Sequence, residues 1–388
     1  MRADDAVCAL SVAELAEKIR TKALSPVAVT KAYLDRIECV NDKVNAFVTV
    51  TADEALWAAG QAEEELAAGT YRGPLHGIPY GLKDLVDTRG IATTFGARPF
   101  ADRVPGRDAT VYARLKAAGA VLLGKLSMIE LAGGLRYTYA DAALNGPCRT
   151  PWDTERWAGG SSSGSDAAVA ARLVAFAIGS ETWGSITCPS SFCGVTGLRP
   201  TYGVVSRFGA MALSFTMDKL GPLCRTAKDC AIVLQAIAGR DPSDPSSVEA
   251  PPGLGAVAAD AAKSLQVGVI GLPSEASIDP AVRSAYDAAL AELRAAGMTL
   301  TPTKLPDFPY EWLAVLFIGS EVRAAFEDLI LSERDAGRAV HGGDRRRLRQ
   351  GDADPPEDAG GAERALRGLR RPRGTHDPVR RAEGRPEH

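Results

Sequence analysis

An α/β layered fold with a mostly parallel or mixed sheet is predicted for this 388-residue chain, and three observations predict it. Short apolar runs rich in valine, leucine and isoleucine alternate with alanine-rich amphipathic stretches. Glycine- and proline-rich turns separate them. The composition, 46% hydrophobic and 24% charged, provides ample material for a core and looks globular. The length allows one large domain or two ordinary ones.

The elements follow in order. Ser11-Val-Ala-Glu14 is a capping box, and Leu15 and Ile19 continue at helical spacing. Ser25 caps and Pro26 opens a second helix carrying Val27, Val29, Tyr33 and Ile37. Residues 44–50 read as a strand, and 52–68, rich in alanine and glutamate, as a solvent-backed helix. A turn-rich entry at 73–79 leads into an apolar strand at 80–86 with Lys83 and Asp84 embedded in it. Residues 108–118 form a helix, and 120–123 a buried strand ending at Gly124-Lys125. The alternation continues through 167–178, 230–237 and 266–270. A proline-, serine- and aspartate-rich loop fills 242–252, and a helix follows at 278–296 after an Asp279-Pro280 start.

From about Gly342 the text changes: residues 344–388 hold twelve arginines and only four large aliphatic or aromatic residues. Such a segment reads as a basic arm for an anionic partner, as disorder, or as out-of-frame translation of GC-rich DNA. Interspersed acids and the loss of periodicity favour the last two. The expected organisation is therefore one domain over 1–335, C-terminally incomplete if the tail is out of frame, and an atypical arginine-rich tail over 336–388.

Charge and composition exclude several classes. A net charge of -3 argues against a generally basic nucleic-acid binder. No apolar run reaches the ~18 residues of a membrane span, and the first five residues lack the basic start of a secretion signal. Seven cysteines with no CxxC, mostly among apolar neighbours, fit reduced thiols in the cytoplasm. Four histidines, three of them in the last 48 residues, make a Cys/His zinc site unexpected, so no metal is called. Gly119 to Lys125 superficially starts a phosphate-binding loop, but Leu126 stands where Ser or Thr is needed and the intervening residues are strand.

The conspicuous run is 159–165, made only of glycine and serine and feeding straight into apolar residues. A linker would sit in polar surroundings; here the glycines serve close backbone approach and unusual dihedrals. Gly160-Ser161-Ser162-Ser163-Gly164 also matches the nucleophile elbow of serine hydrolases with a histidine base. That arrangement needs a histidine after the serine. The only ones, His341, His376 and His388, lie at or in the tail, and His76 comes too early. A lysine is the alternative base, provided burial or positive neighbours lower its pKa by several units. Lys83 sits in an apolar strand where that could happen, although strand lysines are more often snorkelling or paired, here to Asp84. Lys125, at a strand end, is the rival.

Three ordered motifs now carry a resemblance: Gly77-Ile-Pro-Tyr-Gly-Leu-Lys-Asp84, the run at 159–165, and residues 179–189 followed by 192–201. Residues 124–131, Pro151-Trp152 and Asp218-Lys-Leu-Gly-Pro222 add to it. Over roughly residues 8 to 335 the chain resembles the amidase signature family. The resemblance implies an α/β fold with a large mixed central sheet covered by helices on both faces. It also implies a Ser-cis-Ser-Lys triad: Ser185 as nucleophile, Ser161 as bridging cis serine, Lys83 as base. Backbone N–H groups of Thr182, Trp183, Gly184 and Ser185 would surround the oxyanion, Ser162, Ser163 and Ser165 would be hydrogen-bond donors of the loop, and no cofactor is called for. The implied substrate is a small-molecule amide; a nucleic-acid or membrane partner is not expected, and a homodimer is left open.

Two departures bear on the substrate. The family's Asp-x-Gly-Gly-Ser appears as Glu181-Thr-Trp-Gly-Ser185, so the Trp183 side chain is expected to line the acyl pocket. Thr187 replaces a common arginine, which makes a carboxylate-bearing substrate less expected there and favours an apolar or aromatic amide. The alternatives are the A subunit of a glutamyl-tRNA amidotransferase, which releases ammonia from glutamine for a partner, and a truncated inactive relative.

Overall fold

In the computed structural model, residues 3–133, 143–255, 263, 265–272 and 278–331 are described. The expected tail falls in 332–388, outside the described residues. After α1 (Ala3–Ala9), the Ser11 capping box starts α2 (Val12–Arg20): the Glu14 N–H donates to Ser11 Oγ at 3.2 Å and the Ser11 N–H to Glu14 Oε2 at 2.8 Å. Its Val12, Leu15 and Ile19 go into the core. Ser25 caps α3 (Pro26–Val44), and Asn45 ends it in the left-handed conformation at φ 54°. β1 (Phe47–Val50) and α4 (Ala52–Ala67) follow, the latter burying Ala55, Ala59, Ala62 and Leu66 on one side.

The central sheet is built from β1, β2 (Pro79–Lys83), β3 (Val121–Leu126), β6 (Phe176–Glu181), β7 (Thr196–Gly197) and β8 (Lys219–Cys224). Their order is β1-β3-β2-β6-β8-β7. Strands β3, β2 and β6 run parallel, while β1, β8 and β7 are antiparallel to their neighbours. The sheet is mixed, as expected. Every residue of β2, β3 and β6 is buried, so both faces are covered, as their largely apolar sequence demands, with Lys83, Lys125, Ser180 and Glu181 the polar exceptions. Tyr80 and Phe176, directly paired on β2 and β6, stack with centroids 5.1 Å apart, a contact of about 0.5–1.5 kcal/mol beyond area burial.

Helices α5 (Thr110–Ala117), α6 (Ser163–Ala170), α7 (Thr187–Cys193) and α8 (Ala227–Ile237) fill in the layers, with α6 packed on β2, β3 and β6 and α8 on β7 and β8. A short ribbon, β4 (Arg149–Thr150) with β5 (Asp153–Trp157), precedes α6. Beyond the main core, β9 (Gln266–Ile270) and β10 (Thr299–Thr303) form a parallel pair joined through α9 (Pro280–Ala295). Helix α10 (Tyr310–Ala325) returns to the core: Glu321 accepts from the hydroxyls of Ser214 and Thr216 and from the Thr216 N–H. Then α11 (Glu327–Leu331) ends the described chain, with Phe326 buried just before it. The parallel strands β2 and β6 end at Lys83 and Glu181. Their carboxyl ends are where an open α/β sheet places its ligand.

Candidate active site

Lys83, the last residue of β2, is completely buried. Its Nζ lies 2.8 Å from Ser161 Oγ, 2.9 Å from Ser162 Oγ and 2.9 Å from Ser180 Oγ. Burial lowers its pKa to about 7, with the charges of Asp166, Asp218 and Glu181 opposing the shift. An amine of that pKa spends much of its time neutral near pH 7, with two N–H donors and one lone pair.

The partners of the hydroxyls assign those groups. Ser162 Oγ already donates to the Ser180 carbonyl at 3.0 Å and accepts from the Ser180 N–H at 3.2 Å, so toward Lys83 it can only accept. Ser161 Oγ and Ser180 Oγ are the other two hydroxyls within hydrogen-bonding reach of Lys83 Nζ.

The 159–165 run does what its composition promised. The Gly160–Ser161 bond is cis. Gly159 has φ +80°, and a Cβ there would lie 2.8 Å from Pro189 Cα; one on Gly164 would lie 2.4 Å from the Ala46 carbonyl oxygen. The run is thus pressed between the β1–β3 region and the start of α7. The Ser161 carbonyl accepts from the Ile129 N–H at 3.1 Å, and Ser165 Oγ donates to the Ile178 carbonyl at 3.2 Å.

Ser185 is buried in the turn between β6 and α7, and its carbonyl accepts from the Ser162 N–H at 3.2 Å. Lys83, Ser161 and Ser185 therefore come from three segments brought together at one end of the sheet. Glu181 shapes the turn. Its Oε2 accepts from the N–H groups of Ile186 and Thr187, both at 2.9 Å, while Arg199 lies 3.3 Å from Oε1. Burial pushes the Glu181 carboxyl up, but hydrogen bonds from Thr187, Ile186 and Gly184 outweigh it and keep the group below its ordinary value. Of the four expected oxyanion residues, Thr182 also donates through Oγ1 to Asp218 at 2.5 Å and accepts at its carbonyl from Lys219 at 3.1 Å. Thr182, Trp183, Gly184 and Ser185 follow one another directly behind β6.

A cavity of about 180 Å³ opens beside Ser180 and Thr182, walled by Leu85, Met211, Leu213 and Phe215 among others. Trp183 is not among its lining residues and is 43% exposed. The tryptophan thus lies outside that cavity.

The rival lysine is placed elsewhere. Lys125 donates to the Val86 carbonyl and Thr93 Oγ1, both at 2.7 Å, and lies 3.6 Å from Asp84. Asp84 thus pairs with Lys125 and not with Lys83. His76 precedes β2 and faces Glu65 at 3.0 Å, at the opposite end of the strand from Lys83. Among the described residues, no group of three or more His, Cys, Asp or Glu side chains is placed to hold a metal ion. Sequence reasoning missed Ser180 and the supporting part of Ser162. A hydroxyl in β6, next to Glu181 and near the end of β2, was the available signal.

A lysine among serine hydroxyls, a cis serine peptide and a carboxylate-moulded turn meet at the carboxyl ends of parallel strands. The chain belongs to the amidase family, whose model, Amidase, matches residues 28–339. The A subunit of the glutamyl-tRNA(Gln) amidotransferase of Geobacter metallireducens is 42% identical over 341 residues, covering 85% of this chain and 68% of that protein. Its counterpart from Moorella thermoacetica is 44% identical over 302 residues, covering 78% of this chain and 61% of that one. The chain therefore spans between 61% and 68% of the length of these relatives. Among solved structures, the peptide amidase of Stenotrophomonas maltophilia aligns with a TM-score of 0.78 at 31% identity, over 93% of this chain and 78% of its own. One described as fatty acid amide hydrolase aligns with a TM-score of 0.71 at 25% identity, over 83% and 57%.

Proposed function

We propose that the protein hydrolyses a carboxylic amide to acid and amine through a serine acyl-enzyme, with Ser185 as nucleophile, Ser161 as relay and Lys83 as base. The contact of 2.8 Å between Lys83 Nζ and the cis serine's Oγ carries the reading. Neutral Lys83 takes the Ser161 proton as Ser161 takes that of Ser185, and Ser185 Oγ adds to the amide carbon. Backbone N–H groups of 182–185 are the donors for the oxyanion, that of Gly184 being shared with the Glu181 carboxylate; one such donor contributes about 3–4 kcal/mol. As the C–N bond breaks, the proton returns along Lys83 and Ser161 to the leaving nitrogen. Water then attacks the ester by the same relay, releasing the acid and restoring Ser185.

A cytoplasmic location and a free-standing enzyme with no cofactor fit this reading. All seven cysteines are free thiols, and among the described residues no helix is long and apolar enough to cross a membrane. The cavity beside Ser180 and Thr182 is lined by apolar Leu85, Met211 and Phe215 and also by charged Arg207, Asp218, Lys219 and Asp244. A second reading has its own observation: the curated relatives are amidotransferase subunits. Trp183 and Thr187 favour the hydrolase, because that resemblance leads one to expect glycine and arginine there. Labelling with a fluorophosphonate and mapping the adduct tests the first reading: modification at Ser185 supports it, and an adduct elsewhere or none rejects it. Ammonia release from glutamine only in the presence of partner proteins and charged tRNA would favour the second.

A further inference from the structure

Asp166 lies in the first turns of α6 and is fully buried, with no part in the proton path proposed above. Its Oδ1 accepts from Ser190 Oγ at 2.6 Å, and its Oδ2 has no hydrogen-bond partner. Burial pushes its carboxyl well above the usual carboxylate range, with the Ser190 bond and the Lys83 charge opposing.

Ser190 is itself buried on α7. A Cβ on Gly197 of β7 would lie 2.1 Å from its Oγ, so β7 closes the far side and keeps the hydroxyl toward Asp166. The positions in the chain give this bond its meaning. Helix α6 begins two residues after Ser161, and α7 begins two residues after Ser185. The Ser162 N–H, which donates to the Ser185 carbonyl, ties the relay and nucleophile segments through their backbones. The bond between Asp166 and Ser190 ties them again through side chains, one helical turn further on.

We propose that Asp166 and Ser190 form a positioning clamp, which holds the helix behind the relay serine against the helix behind the nucleophile and so sets the approach of Ser161 to Ser185. The inference rests on the reading of those two serines given above. A misplacement of about 1 Å at a reacting pair can lower a rate by about 10²-fold, so the clamp acts on rate more than on substrate affinity.

The test is the second-order rate at which a fluorophosphonate modifies Ser185, followed by intact mass well below each variant's melting midpoint. Asp166→Ala and Ser190→Ala are expected to label about 10- to 100-fold more slowly, and the double variant no more slowly than the slower single one. Asp166→Asn keeps an acceptor for Ser190 and should label within about threefold of the parent. If Asp166→Ala fails to fold, Ser190→Ala and Asp166→Asn still carry the comparison. Alanine variants that label at the parental rate would overturn the clamp while leaving Ser185 as nucleophile. An Asp166→Asn variant that is folded and as slow as Ser190→Ala would overturn it as well. A parent that never labels at Ser185 would remove the reading and the clamp together.

Discussion

Two lysines are buried side by side in this sheet, and they have different surroundings. In the parallel pairing of β2 and β3, Leu82 faces Lys125 and Lys83 faces Leu126, so the two ammonium groups leave by opposite faces. Burial lowers both, Lys83 to about 7 and Lys125 to about 8, with nearby carboxylates opposing. Their partners differ in kind. Lys125 meets a carbonyl oxygen and a carboxylate, which only accept, together with one threonine hydroxyl. Lys83 meets three hydroxyls, which can both give and take a proton. Desolvation makes a lysine titratable near neutrality; hydroxyl partners make it useful as a base.

Exchanging each lysine for methionine should separate these roles most sharply. Lys83→Met is expected to lower kcat for amide hydrolysis by about 10⁴-fold or more, while a denaturant melt records a smaller loss of stability than at Lys125, since no carboxylate forms an ion pair with Lys83 directly. Lys125→Met should do the opposite, costing about 3–5 kcal/mol because Asp84 loses its cation, with the folded fraction retaining its turnover. Next in size is the turn: Glu181→Ala removes the acceptor for two N–H groups and should reduce kcat by about 10²-fold, with Glu181→Gln falling between it and the parent.

The pH profile sharpens the same contrast. A base must be neutral, so kcat/KM should climb as pH rises through about 7, where Lys83 loses its proton, and fall about tenfold per unit below it. Both lysines have folded values below the ordinary 10.5, so the unfolded chain binds more protons between those values and 10.5. Their contribution to stability is complete above 10.5 and is lost as pH falls through about 8 and then about 7. Thermal melts across that range check the sign. The smallest effect is expected at Trp183→Ala, within about 0.5 kcal/mol in stability, since that side chain is 43% exposed; any change should appear in KM for bulky amides.

The alternating apolar runs made the sheet legible, because strands buried on both faces must be apolar throughout. The Gly/Ser run was legible for a similar reason: crowding by Pro189 at Gly159 and by Ala46 at Gly164 leaves no room for a Cβ at those two positions. The boundary of β2 was less so. The strand was expected to reach residue 86 but ends at Lys83, where Asp84 turns away to accept from Thr94 and the Asp84 N–H donates to the Leu126 carbonyl. Residue identity names neither partner. Nor does it tell which lysine Asp84 will pair with, since the adjacent residue and the neighbour across the strand are equally near in composition. Ser180 and Asp166 were missed because their roles depend on contacts from β2 and α7, respectively.

The mould supplied by Glu181 has one more consequence. It grips the turn mainly by backbone N–H groups, with the Thr187 hydroxyl adding a bond at 3.3 Å, and the side chains at 183 and 187 stay largely exposed. Substitutions there that keep those N–H groups leave most of the grip on the peptide path of Ser185 in place. The shape of the turn is thereby held more by its backbone than by the identity of its exposed side chains.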